Sequence, residues 1–209
     1  MKIVTYNIHQ GMDSNNKYTL NKLGKYLKKL DWDVICLQEV LYHQFKKIKS
    51  DLNMNGVFAD NVNKPGKIYG ICTFTKQKIE NSNHMYLTSK KEQRGFLCVT
   101  INEKDINFNI INTHLGLDKY ERYNQISEML DYTNRLIGDI IICGDFNERH
   151  VSLSKYIDIS IGLTDKNIET FEKSKARIDY IFVDKYLNPK EYYVDKSDLS
   201  DHYPVIGEI

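Results

Sequence analysis

Only three prolines occur in the 209 residues, and no stretch is jointly rich in Pro, Gly and Ser. That excludes a flexible interdomain linker and a low-complexity tail. No apolar run approaches the ~20 residues that span a bilayer. The opening "MKIVTYNIHQ" holds too short an apolar stretch for a secretory leader. A cytoplasmic protein is therefore expected. Charge of one sign is also missing: 29 Lys and Arg face 28 Asp and Glu, for a net +1. No global field announces nucleic acid or anionic membrane. Arginine is rare, confined to Arg94, Arg122, Arg135, Arg149 and Arg177. Cys36, Cys72, Cys98 and Cys143 each lie inside an apolar run, and no CxxC pair exists. They read as reduced, buried small hydrophobes rather than a disulfide or zinc framework.

What is present is ordinary for a folded domain: 41% hydrophobic and 27% charged residues. The length suits one domain over 1–209 better than two. Short β-rich segments dominate, at 2–8, 33–38, 69–75, 95–101, 106–114, 139–144, 177–183, 191–194 and 204–209. In "INFNI", Ile106, Phe108 and Ile110 share a face, as in a half-buried strand. "VICL" and "IIIC" are apolar throughout, which predicts central strands covered on both faces. Leu20, Leu23, Leu27 and Leu30 recur at helical spacing behind Thr19, a candidate N-cap. Further helices are expected over 118–137, with Asp118 as cap, over about 42–52, and over 150–160. Strands with irregularly inserted helices predict two packed sheets with helices outside them.

Polar residues cluster where these strands end. Asn7 interrupts "IVTYNI", Glu39 follows "DVICLQ", and His114 ends "NFNIINTH". Asp145 and Asn147 follow "DIIICG", with Gly144 to bend the backbone there. Asp179 sits between Ile178 and Tyr180, and Asp201 and His202 precede the last strand. A buried carboxylate is costly unless paired or metal-bound. Asp179 thus needs a partner, and His202 is the natural one: a carboxylate on one imidazole nitrogen aims the other. Glu39 beside a neutral amide such as Asn7 suits a hard oxygen-ligated ion, Mg²⁺ or Mn²⁺. No His₂-carboxylate or thiolate spacing supports zinc.

"TYNIHQG", "DVICLQEV", "NTHLG", "GDFNE", "RIDYIF" and "SDHYPV", in this order from residue 5 to 206, resemble the endonuclease/exonuclease/phosphatase superfamily with its DNase I-like fold. The resemblance implies an α+β four-layer αββα sandwich with its site at one edge of both sheets. It implies Mg²⁺-dependent (or Mn²⁺-dependent) phosphoester cleavage by direct attack of water. By resemblance, Glu39 is the main metal ligand, Asn7 helps hold the metal or its water, and Asp201 is a second acid near it. Asp145 orients or deprotonates the attacking water, and Asn147 donates to a phosphoryl oxygen. His202, oriented by Asp179, contacts phosphate, and His114 is a phosphate donor or leaving-group acid.

One departure narrows the likeness. His9 stands where the superfamily's abasic-site endonucleases carry an acid. "YNIHQG", "QRGFL" and "NTHLG…ERYNQ" look instead like the small bacterial hydrolase and lipid-remodelling branch, with Arg94 and Arg122 as candidate phosphate contacts. The basic residues form only two short clusters, Lys90-Lys91-Arg94 and Lys173-Lys175-Arg177. Segments 61–70 and 86–95 are expected as loops at the site's rim, and Tyr192, Tyr193 and Tyr203 as candidate stacking surfaces. The expectation is a monomeric phosphodiesterase rather than a phosphomonoesterase, acting on a small molecule or lipid head group. A metal-dependent nuclease is the alternative. A catalytically silent phosphate-binding module is disfavoured, since every chemical motif position is occupied.

Overall fold

The computed structural model describes residues 1–164 and 168–209. Within these residues twelve strands, numbered in chain order, form two six-stranded sheets. The first sheet contains β1 (Lys2–Asn7), β2 (Val34–Leu41), β3 (Asn55–Lys64), β4 (Lys67–Thr75), β11 (Glu191–Val194) and β12 (Val205–Glu208). Its order is β11-β12-β1-β2-β4-β3. The second contains β5 (Ile79–Leu87), β6 (Arg94–Glu103), β7 (Ile106–His114), β8 (Asp139–Asp145), β9 (Tyr156–Asp158) and β10 (Asp179–Asp184). Its order is β5-β6-β7-β8-β10-β9. Two pairings are parallel, β1 with β2 and β7 with β8, and these four strands end at the same edge.

Three apolar layers hold the stack together. Ile3, Val34, Cys36, Ile71, Val99, Ile110, Ile141, Cys143 and Ile181 fill the space between the sheets. Leu20, Leu23 and Leu27 of α1 (Leu20–Lys29) and Phe45 and Ile48 of α2 (Tyr42–Leu52) cover the first sheet's outer face. Met129 of α3 (Lys119–Thr133) covers the second sheet's outer face with Ile111, Ile142 and Phe182. This is the expected αββα sandwich. The apolar runs of β2 and β8 are covered on both faces. Among the described residues, no helix is long and apolar enough to cross a membrane.

Several local expectations change. Residues 150–160 form turns around β9 rather than a helix. Phe182 and Val183 pair with Asp158 and Ile157, so tertiary pairing with β10 makes a strand of this segment. Segment 61–70 is a hairpin, with β3 and β4 running to Lys64 and from Lys67 around a Pro65-Gly66 tip. Of 86–95, only 88–93 is loop. Strands β3 and β5 lie at sheet edges, where polar side chains face water, and so lacked an apolar signal. Asp118 does cap α3 by accepting from the Glu121 amide at 3.0 Å. Thr19 does not cap α1 through its side chain, because its hydroxyl donates to the Leu199 carbonyl at 2.7 Å.

Candidate active site

The parallel pairings decide what meets at the edge. Asn7 ends β1 beside Gln38, and His114 ends β7 directly opposite Asp145 at the end of β8. Asp179 pairs with Asp145 from the other side. Gly144 makes the last step possible. Its φ is +142°, and a Cβ there would lie 2.0 Å from the Thr113 carbonyl oxygen. Only glycine allows β8 to stay this close to β7 while delivering Asp145.

Asp145 is the hub. It is 1% exposed. Its Oδ1 accepts from the Asn147 amide at 2.9 Å, and its Oδ2 accepts from Asn7 Nδ2 at 3.0 Å. His114 Nε2 stands 3.5 Å and His202 Nε2 3.7 Å from the same Oδ2. Three N–H groups therefore converge on one oxygen. Asn7 Nδ2 also donates to Glu39 Oε1 at 3.2 Å, linking the hub to a half-buried carboxylate in the first sheet.

Burial and the neighbouring Asp179 carboxylate raise the Asp145 pKa above the usual carboxylate range. The two histidines diverge. Burial opposes charge on His202, but the carboxylates of Asp179 and Asp145 outweigh it and hold the ring protonated. Its Nδ1 donates to Asp179 Oδ2 at 2.9 Å, the pairing expected from sequence. Phe171 packs against its ring at 4.7 Å between centroids. Burial, then the Arg94 guanidinium and His202, push His114 well below its ordinary value. Arg94 Nη1 lies 3.2 Å from His114 Nδ1. Arginine can only donate, so Nδ1 accepts and the single ring proton sits on Nε2, facing Asp145.

The remaining residues are placed unequally. Asp201 Oδ1 faces His9 Nδ1 at 3.3 Å, and Ser200 Oγ ties this loop to the Asn7 carbonyl at 2.8 Å. Asn147, in the left-handed region at φ 51°, spends one Nδ2 proton on the Leu115 carbonyl and keeps the other. Arg94 sits between His114 and Glu92 Oε1, the latter at 2.8 Å. Arg122 donates to the Gly116 and Leu117 carbonyls and to Glu148 Oε2 at 2.6 Å. Both guanidiniums are thus engaged within the protein. Of the basic clusters, Lys90 pairs with Asp118, Lys175 with Glu169 and Arg177 with buried Asp158. Tyr192 is buried under Arg177 and offers no stacking surface, while Tyr193 is 36% exposed and Tyr203 lies below Lys196.

Sequence reasoning missed Thr170. Its hydroxyl donates to Asp179 Oδ2 at 2.6 Å and accepts from the amides of Ile178 and Asp179. It also missed the buried amides Gln38 and Asn112, although both sit inside quoted motifs. The signal was available, since a fully polar amide in an apolar strand demands partners.

The donors fit a hard divalent cation. Glu39, Asn7, Asp145 and Asp201 bring oxygen or amide groups. Asp179 Oδ1, fully buried, has no hydrogen-bond partner among the described residues. Asp145, Asp179 and His202 place ligating atoms within 4.8 Å of one another. Asp179 and His202 bond each other, and Asn7 bonds Glu39 through Nδ2 while its Oδ1 accepts from the His9 amide at 3.0 Å, so a cation held by Glu39 and Asn7 would replace these contacts. Between α2 and the β3–β4 hairpin, a cavity of about 600 Å³ is lined by Tyr42, His43, Lys64, Lys67 and Ile68 and, among the described residues, by no carboxylate.

Residues 4–202 match the Endonuclease/Exonuclease/phosphatase family. Among solved structures, an endonuclease/exonuclease/phosphatase family protein from Leptotrichia buccalis superposes with TM-score 0.82 at 22% identity, covering 100% of this chain and 98% of that one. A humanized D. rerio TDP2 gives TM-score 0.80 at 19% identity, covering 99% and 97%. The Bacteroides thetaiotaomicron mannosyl-6-phosphatase Bt3783 gives TM-score 0.77 at 20% identity, covering 100% and 98%. At these identities the superpositions establish the fold, and the sequence match over nearly all of the chain establishes the family. The chain belongs to the endonuclease/exonuclease/phosphatase family, whose members are hydrolases acting on phosphoesters.

Proposed function

We propose that this protein hydrolyses phosphodiesters, with Mg²⁺ or Mn²⁺ held by Glu39 and Asn7 and with Asp201 nearby. The observation that carries the reading is the convergence on Asp145 Oδ2 of N–H groups from Asn7, His114 and His202. Donors gathered around one anionic oxygen are what a phosphoryl group in transition requires. The bound cation would neutralise charge at the phosphoryl and leaving oxygens.

The protein's own groups then divide the work. Asp145 orients the attacking water and takes its proton, helped by a raised proton affinity. His202, kept cationic and aimed by Asp179, meets a phosphoryl oxygen. Asn147 offers its remaining Nδ2 proton. His114, neutral with its proton on Nε2, serves as a hydrogen-bond donor rather than as a leaving-group acid. Arg94 supports His114, and Arg122 supports the loop carrying Gly116. Neither need touch phosphate. A small molecule or lipid head group is the leading substrate. The carboxylate-free cavity with His43, Lys64 and Lys67 favours a second reading, in which that cavity receives the flanking phosphates of a nucleic acid. Binding without turnover, as in a silent phosphate-binding module, is the outcome that opposes both.

The test is hydrolysis of bis-p-nitrophenyl phosphate, p-nitrophenyl phosphate, plasmid, single-stranded oligonucleotides and phospholipid vesicles, with Mg²⁺, Mn²⁺ or EDTA. EDTA is expected to abolish diesterase activity. Asp145→Ala and His202→Ala are each expected to lose at least ~10²-fold, the usual contribution of a positioned acid–base group. Metal-independent turnover, or unchanged rates in both variants, would refute the mechanism.

A further inference from the structure

Glu39 is delivered by an irregularity in its strand. Leu37 pairs with Cys72 and Val40 with Gly70, so Gln38 and Glu39 together oppose the single residue between them on β4. Glu39 takes φ 56°, a left-handed value uncommon outside glycine. A bulge of this kind interrupts the ladder and leaves backbone groups to satisfy. Here the Leu37 and Cys72 carbonyls accept from one atom, Asn112 Nδ2, at 3.1 and 2.9 Å. Asn112 belongs to β7 in the other sheet and is 0% exposed. Its Oδ1 accepts from Gln38 Nε2 at 2.8 Å, and Gln38 in turn reaches Thr5 Oγ1 at 3.0 Å. Every hydrogen-bonding position of the Asn112 donor pair is spent on the bulge.

The strand that carries this amide also carries the reaction centre. Asn112 lies two residues before His114, on the same face of β7, and pairs with Cys143, two residues before Asp145. We propose that Asn112 is a positioning residue. From the facing sheet it clamps the β2 bulge, fixes the direction of Glu39, and sets its spacing from His114 and Asp145. The proposal rests on reading Glu39 as the metal ligand. A buried amide need not act this way. Asn109, on the same strand and 2% exposed, donates to the Ile137 carbonyl and accepts from Thr100, with no tie to the other sheet. It supplies the control.

The experiment compares wild type, Asn112→Leu and Asn109→Leu. In metal-free protein, NMR amide exchange at Glu39 and Val40 is expected to accelerate about tenfold or more in Asn112→Leu only. Mn²⁺ titration followed by electron paramagnetic resonance is expected to show affinity weakened by about tenfold or more in Asn112→Leu only, as for other residues that orient a ligand. If Asn112→Leu does not fold, Asn112→Ser is read by the same rule. A folded Asn112 variant with wild-type exchange overturns the clamp, as does an equal effect of Asn109→Leu. Faster exchange with unchanged Mn²⁺ affinity overturns its role toward the ligand. If wild type itself binds no Mn²⁺, the metal reading falls, and exchange alone decides the clamp.

Discussion

Glu148 follows the site loop by one residue, and the Arg122 guanidinium at 2.6 Å holds its carboxyl below the usual range. A depressed folded pKa gives stability that is present above the unfolded value of 4.5 and lost as pH falls through the folded value. Urea midpoints taken from about pH 7 to about pH 3 should therefore fall less steeply in Glu148→Gln than in wild type. An identical acid loss in both proteins would show that the pair contributes nothing. Gly144 gives a second prediction at this scale. Gly144→Ala forces a Cβ into the Thr113 carbonyl at φ +142°. Strained residues of this sort cost about 1–3 kcal/mol, read as a drop in the unfolding free energy in urea. Diesterase activity should fall further than the unfolded fraction explains, because Asp145 is the next residue. Asp145, Asp179 and His202 were legible in the sequence because charged groups beside apolar runs need partners. The partners of Arg94 and Arg122 were not legible, since a guanidinium bonded within the protein and one offered to phosphate look alike in one dimension.

Strand β9 is three residues long, and it is fastened to β10 by more than its ladder. Asp158 Oδ1 accepts from Arg177 Nη2 at 2.7 Å, with both side chains 9% exposed. The guanidinium also lies over the Tyr180 and Tyr192 rings, tying this edge to β11 in the other sheet. Breaking a buried pair strands a charge, so Arg177→Met should destabilise by about 3–5 kcal/mol. Adding Asp158→Leu should recover much of that loss, as apolar replacement of both partners often does. A double variant no better than the single one would mean that the pair is not what seats β9. This coupling also explains why 150–160 was misread. Its residues suit either state locally, and the deciding partner, Arg177, arrives nearly twenty positions later. Strands β2 and β8 were legible because both their faces are covered, and β7 through its alternation. The edge strands β3 and β5 were not, because many of their side chains are polar and exposed or half-exposed.

Both sheets draw on distant parts of the chain. The first sets β1 between β2 and β12, so residue 3 pairs with residues 34 and 207. Sheet order of this kind is invisible to periodicity, whereas six motifs in a fixed order announced the whole sandwich at once. Such non-local pairing predicts cooperative opening rather than local fraying at the sheet interface. The cysteines report on it directly. Cys36 and Cys72 belong to the first sheet, Cys98 and Cys143 to the second, and all four are buried as free thiols. Burial raises the pKa of the Cys72 and Cys98 thiols, the latter to about 11, which suppresses the reactive thiolate. With Ellman's reagent, native protein should release almost no prompt colour, and the slow rate should climb with urea in step with global unfolding. Prompt reaction of two thiols would mean that the sheets separate on their own.

The same burial makes the protein ready for site-selective chemistry. A cysteine introduced at an exposed position, for example at Lys64 on the hairpin beside the carboxylate-free cavity, would be the one thiol in the folded chain open to a fluorophore or spin label. The native four would not have to be removed first. Movements of the hairpin could then be followed in a protein whose interior is unchanged.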